Sequence, residues 1–185
     1  MTKESSSRLG DVGIHILMED ITDSSCKDII SFILEKNLDF TKTRLKEIKL
    51  IINSSGGSVT AAFALTDIML GSNIPVVTSG IGIIASAGLL IFMTGKHRVL
   101  TPNTSILSHQ YSWGASGKQH ELIAARKEQD LIEERMYNHY KMCTKMSDKQ
   151  IGKLLGPSDE WLTAAEAKKY GFCDTIKQLT LKKKK

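Results

Sequence analysis

No Asp, Glu, Lys or Arg occurs between Ile68 and Gly95. An uncharged run of that length either spans a bilayer or forms the middle of a protein core. Its own residues argue against the bilayer. "GSNIP" (Gly71 to Pro75) is a turn, and Ser79, Gly80, Gly82, Ser86 and Gly88 break up the remainder. The run therefore reads as short buried elements rather than one helix, because buried strands or helices lose their charges just as completely.

The flanking segments show what those elements belong to. "GIHIL" (Gly13 to Leu17) reads as a first strand. In "TDSSCKDIISFILEKN" the turn and cap residues Thr22, Asp23 and Ser24 precede an apolar stripe at Ile29, Ile30 and Ile33, which predicts a helix. "IKLIIN" (Ile48 to Asn53) is a buried, β-branched strand, "SSGG" a turn, "SVTAAFALTDIML" a helix and "IPVVTSG" another strand. This alternation implies an α/β fold with a parallel sheet and right-handed crossovers. Short strands follow at "HRVL" (His97 to Leu100) and "SILSH" (Ser105 to His109), with Pro102 and Asn103 turning between them.

The longest periodic element lies between Lys118 and Met146, uninterrupted by Gly or Pro. Leu122, Ala125, Ile132, Met136 and Cys143 share one helical stripe, while Arg126, Lys127, Asp130, Glu133 and Glu134 lie mostly off it. A helix of roughly 40 Å, at 1.5 Å per residue, overruns a small domain. It is expected to project toward a partner subunit, with Ile132 and Met136 in the contact; the alternative is a long core helix. Two capping boxes follow, Ser147 with Gln150 and Thr163 with Glu166. "FCDTI" (Phe172 to Ile176) closes as a short strand.

The 185 residues suffice for one domain with a sizeable core. That domain is expected over 12–180, between a short polar segment (1–11) and a basic tail (181–185). The net charge is +5, but without Lys182 to Lys185 only 21 basic residues face 20 acidic ones. The excess reports a tail, not a nucleic-acid-binding face. Cys26, Cys143 and Cys173 have no metal-like spacing, and their odd number fits a reducing cytoplasm better than a disulfide framework. "MTKESSSRLG" is too polar for a secretory signal.

A serine nucleophile needs a base, an orienter for that base, and backbone N–H donors for the oxyanion. Ser86 follows a strand across glycines and starts an apolar helix, where a hydroxyl can reach a cleft. Taken alone, "ASAG" is more often a small-residue helix start. His109 ends a strand before the loop "QYSWGASG", a good place for a base. His15, His97, His120 and His139 have poorer contexts. Asp159, in "GPSDEWLT", reads equally well as a turn residue, and spacing alone does not choose it over Asp148 or Asp174. Gly56 and Gly57 end a strand with amides that no side chain obstructs.

Together, and in this order, these segments resemble the proteolytic subunit of the Clp protease, whose fold is crotonase-like with a protruding handle helix. "LIINSSGGSVTAAFALTDIM" resembles that family's "INSPGG" strand-turn-helix, and "GIIASAGLLIFMTG" its "ASMGA" nucleophile segment. "TPNTSILSHQ" is similar to "PNSRVMIHQP", and "SDEWLTAAEAKKYGFCDTI" to "DRFLSAPEAVEYGLVDSI". The likeness runs from about Gly13 to about Leu179. It implies Ser86 as nucleophile, His109 as base and Asp159 as orienting acid. It implies Gly57 and Ala87 as oxyanion-hole amides, and Ser58, Val59 and Gln110 as substrate-binding positions, with "WGASG" (Trp113 to Gly117) opposite the substrate. The helix at 118–146 corresponds to the handle that interlocks two rings.

The implied activity is serine endopeptidase action on peptides and unfolded proteins in a cytoplasmic homo-oligomer of stacked rings. It needs no metal or cofactor, since any ATP would be used by a separate ring ATPase. Nucleic acid and membrane are not expected partners. Several positions depart from the family pattern. Ser55 and Tyr111 replace prolines, Ala87 replaces methionine, and few residues precede the first strand. The last point leads us to expect a less obstructed entrance, so that peptide and casein are cut without an ATPase. Three rival readings are a catalytically silent ring subunit, a crotonase-type acyl-CoA enzyme and a Ser-Lys protease using Lys96. The presence of Ser, His and Asp at all three triad positions weighs against the first two, and the third, a membrane protease, is expected to carry an anchor that this sequence does not show.

Overall fold

Buried and half-buried residues alternate along Ile48–Ser54, with Ile48, Leu50, Ile52 and Ser54 turned into the interior. This strand, β2, neighbours the centre of the sheet. The computed structural model describes residues 8–39 and 45–179. The polar start (1–7) and the basic tail lie outside the described residues. Before β2 come α1 (Arg8–Asp11), β1 (Ile14–Leu17) and α2 (Asp23–Leu38). After it come α3 (Val59–Gly71), β3 (Val76–Ala85), α4 (Ala87–Met93), β4 (Arg98–Leu100) and β5 (Ser105–Ser108). The chain continues through α5 (Gln119–Cys143), α6 (Asp148–Leu154), β6 (Glu160–Thr163), α7 (Ala164–Tyr170) and β7 (Thr175–Ile176).

The sheet order is β1-β2-β3-β4-β7, all parallel. At β3 the sheet forks. The first half of β3 pairs with β4 (Thr78 with Arg98 to Gly80 with Leu100) and the second half with β5 (Ile83 with Ser105 to Ala85 with Leu107). The antiparallel strand β6 then pairs with β5. The sequence reading stopped a strand at Gly80 and placed a Gly-rich connection before Ser86. Instead the strand runs through to Ala85. The glycines form a bulge, because Ile52 pairs with Gly80 but Ser54 with Ile84. Gly82 takes φ +59, and the Asn53 side chain fills the gap by accepting from Ile83 N–H at 2.9 Å. A bulge bends and re-aims a strand. Here it swings the end of β3 toward β5.

The uncharged run is the core. Every residue of α4 is buried, and it packs with Ile84, Leu50, Leu65 and Phe172 in one apolar cluster reaching from Leu17 to Cys173. Thr22, Ser147 and Thr163 cap their helices through reciprocal boxes, as their spacing predicts for the last two.

The long helix is α5, with Lys118 as its N-cap, and it ends at Cys143 rather than Met146. Its two halves differ. Ile132, Met136, His139 and Tyr140 are buried in the subunit's own core, which corrects the expectation that Ile132 and Met136 face a partner. Leu122, Ile123 and Leu131 of the first half are exposed apolar residues, and so is Met142 near the C-terminal end. Arg98 fastens the far end, donating to the Cys143 and Gly171 carbonyls at 2.6 and 3.0 Å while pairing with Asp174.

Candidate active site

Strand register brings the candidate residues together. Ala85 pairs with Leu107 in parallel, and Ser86 N–H donates to Leu107 O at 3.1 Å, so Ser86 follows β3 at the edge where His109 follows β5. In the antiparallel pair, Ser108 stands opposite Glu160. One step further, His109 meets Asp159, and their Nδ1 and Oδ1 atoms are 3.9 Å apart. That separation is within Coulomb reach but too long for a hydrogen bond. Asp159 is exposed and His109 half-buried. Strand β6 was not read from the sequence, yet it sets Asp159 beside His109 and not Asp148 or Asp174.

Ser86 is the one non-glycine residue with positive φ among the described residues (φ 53°, ψ −125°). Such a conformation costs on the order of 1–3 kcal/mol and persists only where the surroundings enforce it. Here they do. The strand end is held by Leu107, the buried helix α4 begins at Ala87, and Gly56 lies directly against the serine. A Cβ placed on Gly56 would lie 2.6 Å from Ser86 Cβ and 3.2 Å from Ala87 N. Gly56 and Gly57 have φ of +109° and +140°, which only glycine adopts readily.

The Gly56–Gly57 turn is stitched to Ile21. Ile21 N–H donates to Gly56 O (2.8 Å), and Ser58 N–H donates to Ile21 O (2.7 Å). Both bonds use neighbours of Gly57, so its own N–H points off this ladder. The turn's close approach to Ser86 and Ala87, seen in how little room a Cβ on Gly56 would have, sets Gly57 and Ala87 on adjoining segments. Ser58 is the N-cap of α3, and Val59 is buried, so Val59 can offer a ligand only its backbone.

His109 has a firm base beneath it. Ser108 Oγ donates to Leu154 O, so the Tyr140 hydroxyl is the donor in their 2.8 Å bond. Burial pushes the Tyr140 phenol well above its ordinary range, keeping it a neutral donor. Beyond His109, residues 110–117 are largely exposed. His109, Gln110, Tyr111, Trp113 and Asp159 line a cleft of about 440 Å³, and Ser86 is not among its lining residues. The structure thus joins His109 to Asp159 on one side and Ser86 to the glycine turn on the other, along one sheet edge. Gln129 of α5 also lines this cleft and was missed in the sequence. Its signal was a polar side chain on the apolar stripe, four residues after Ala125 and three before Ile132.

The Clp protease family profile matches residues 1–180. The chain belongs to the Clp protease family. Among curated relatives, "ATP-dependent Clp protease proteolytic subunit 2" of Tropheryma whipplei is 34% identical over 87% of this chain and 88% of its own length. The Leuconostoc citreum proteolytic subunit is 33% identical over 92% of this chain and 85% of its own. Subunit 2 of Thermobifida fusca is 32% identical over 95% and 86%. The forked sheet and long helix accord with the Clp, crotonase-like fold. Among the described residues, no helix is long and apolar enough to cross a membrane.

Proposed function

We infer how this Clp-type proteolytic subunit cuts a peptide bond: Ser86 is the nucleophile, His109 its base and Asp159 the orienter. Ser86 Oγ attacks the carbonyl carbon as His109 takes its proton. The oxyanion is met by the Gly57 and Ala87 amides. His109 then returns the proton to the leaving amine, and water releases the acyl group by the reverse route. Ser58, Val59 and Gln110 flank the substrate strand, Val59 through its backbone. No metal or cofactor takes part in these steps. The sequence carries no "GxxxxGK[ST]" loop, so any nucleotide hydrolysis belongs to a separate ATPase.

One observation supports this reading: β5 lies between β6 and the end of β3, so Asp159, His109 and the strained Ser86 all adjoin the ends of neighbouring strands. The open His109–Asp159 pair and the exposed first half of α5 favour a subunit that works in a homo-oligomer, where contact between copies tightens the acid–base side. Hydrolysis of a short fluorogenic peptide tests the assignment. Ser86→Ala and His109→Ala are expected to abolish turnover while keeping the fold. Cleavage by Ser86→Ala at the parent rate would refute it.

A further inference from the structure

Gln129 is almost wholly buried, at 5% exposure, on the cleft side of α5. Its amide nitrogen donates to Glu133 Oε1 at 2.6 Å. Its carbonyl oxygen, Oε1, is the one buried side-chain polar atom without a hydrogen-bond partner among the described residues. Reversing the amide would set oxygen against the Glu133 carboxylate, so the ion fixes the orientation. Leaving an acceptor buried and unpaired costs about 1–3 kcal/mol. Such an atom beside His109 and Asp159 needs an explanation.

The segment Gly156–Asp159 lines the same cleft as Gln129. Pro157 has no N–H. Gly156 N–H already donates to Lys153 O at 3.2 Å, and the Ser158 hydroxyl to Glu160 at 3.1 Å. The Ser158 and Asp159 amides remain as donors. Asp159 ends this segment, so a small shift of the turn toward His109 would shorten the 3.9 Å His109–Asp159 separation to a hydrogen bond.

We propose that Gln129 is a positioning residue: its Oε1 accepts a hydrogen bond from the Ser158 or Asp159 N–H as the cleft closes, and so holds Asp159 on His109. The proposal rests on the triad reading above. Glu133 orients the amide, Gln129 grips the turn, and Asp159 orients the base. The handle helix thereby communicates with the catalytic edge through one side chain.

The test is steady-state hydrolysis of a fluorogenic peptide by the full chain, with Gln129→Leu, Glu133→Gln and both changes combined with Asp159→Ala. Gln129→Leu keeps the volume and removes the acceptor. It is expected to lower kcat about tenfold with KM within about twofold, since misplacing a catalytic group acts on turnover. Glu133→Gln, which only frees the amide's orientation, is expected to lower kcat about threefold. In the Asp159→Ala background both effects are expected to vanish, because the residues act as one unit. Parental kcat in both single variants would overturn the proposal, as would an equal fold-loss with and without Asp159. If Gln129→Leu fails to fold, Glu133→Gln decides by the same two criteria. Ser86→Ala in parallel separates the outcomes: if it remains active the triad reading fails, whereas an inactive Ser86→Ala with a fully active Gln129→Leu removes only this proposal.

Discussion

The two sides of the proposed catalytic edge are built differently. On the nucleophile side, Ser86 stands in a strained conformation between buried Ala85 and buried Ala87, with Gly56 against it and Ile21 stitched across the turn. On the acid–base side, an exposed Asp159 lies 3.9 Å from a half-buried His109, beside an exposed loop. Strain needs a rigid frame, and the uncharged core supplies it. The proposed base and orienter lie just beyond the ends of β5 and β6, on the outer branch of the forked sheet. On the reading proposed above, folding alone completes the first side, whereas the second requires the cleft to close.

The difference can be broken most severely at Gly56. Gly56→Ala forces a Cβ against Ser86 and an unfavourable φ of +109°. We expect peptide hydrolysis to fall by about a thousandfold or more and stability by about 3 kcal/mol, read from turnover and urea unfolding. Asp159→Asn should separate activity from stability. Turnover is expected to fall on the order of 10³-fold, since triad members act together, while the melting temperature of this exposed position stays put. Equal damage to both would erase the contrast. Ile123→Asp, on the exposed half of α5, is expected to shift light scattering toward monomer and reduce turnover severalfold, with the subunit fold retained.

Smaller effects sharpen the same comparison. Tyr140→Phe removes the donor to Ser108 beneath His109 and should cost about 1 kcal/mol in unfolding. His139, buried against α4, has its pKa pushed below the ordinary value by desolvation, although its bond to Leu90 O opposes this. The unfolded chain therefore takes up this proton first. Stability is complete above the ordinary histidine pKa of about 6.5 and is lost as pH falls from there through the lowered folded value. Unfolding followed from pH 7.5 to 5 should show that slope, to which His15, also lowered by burial, adds in the same sense, and His139→Gln should reduce it.

How much of this was legible in the sequence follows from local versus long-range cause. Helices α2 and α3, strand β2 and the capping boxes at Ser147 and Thr163 declared themselves, because caps and alternation act within a few residues. Ser86 was legible as a polar break in an apolar run. The continuity of β3 was not, since Gly80 and Gly82 look like a break until Asn53, on a neighbouring strand, fills the bulge. Strand β6 was hidden too. Of its four residues only Leu162 is buried, Trp161 is exposed, and its partner β5 is distant in sequence. Asp159 could therefore be singled out only by family resemblance. The apolar stripe of α5 was visible, but which half meets the subunit's own core was not, because periodicity gives a face and not its partner.

The central claim is that the strained Ser86 is the nucleophile and that His109 activates it. A serine-directed phosphonate, followed by peptide mapping of the labelled chain, tests it most directly. The account predicts a single modified residue, Ser86, with labelling slowed by His109→Ala and absent in Ser86→Ala. Modification of another serine, or undiminished labelling of Ser86→Ala, would contradict it.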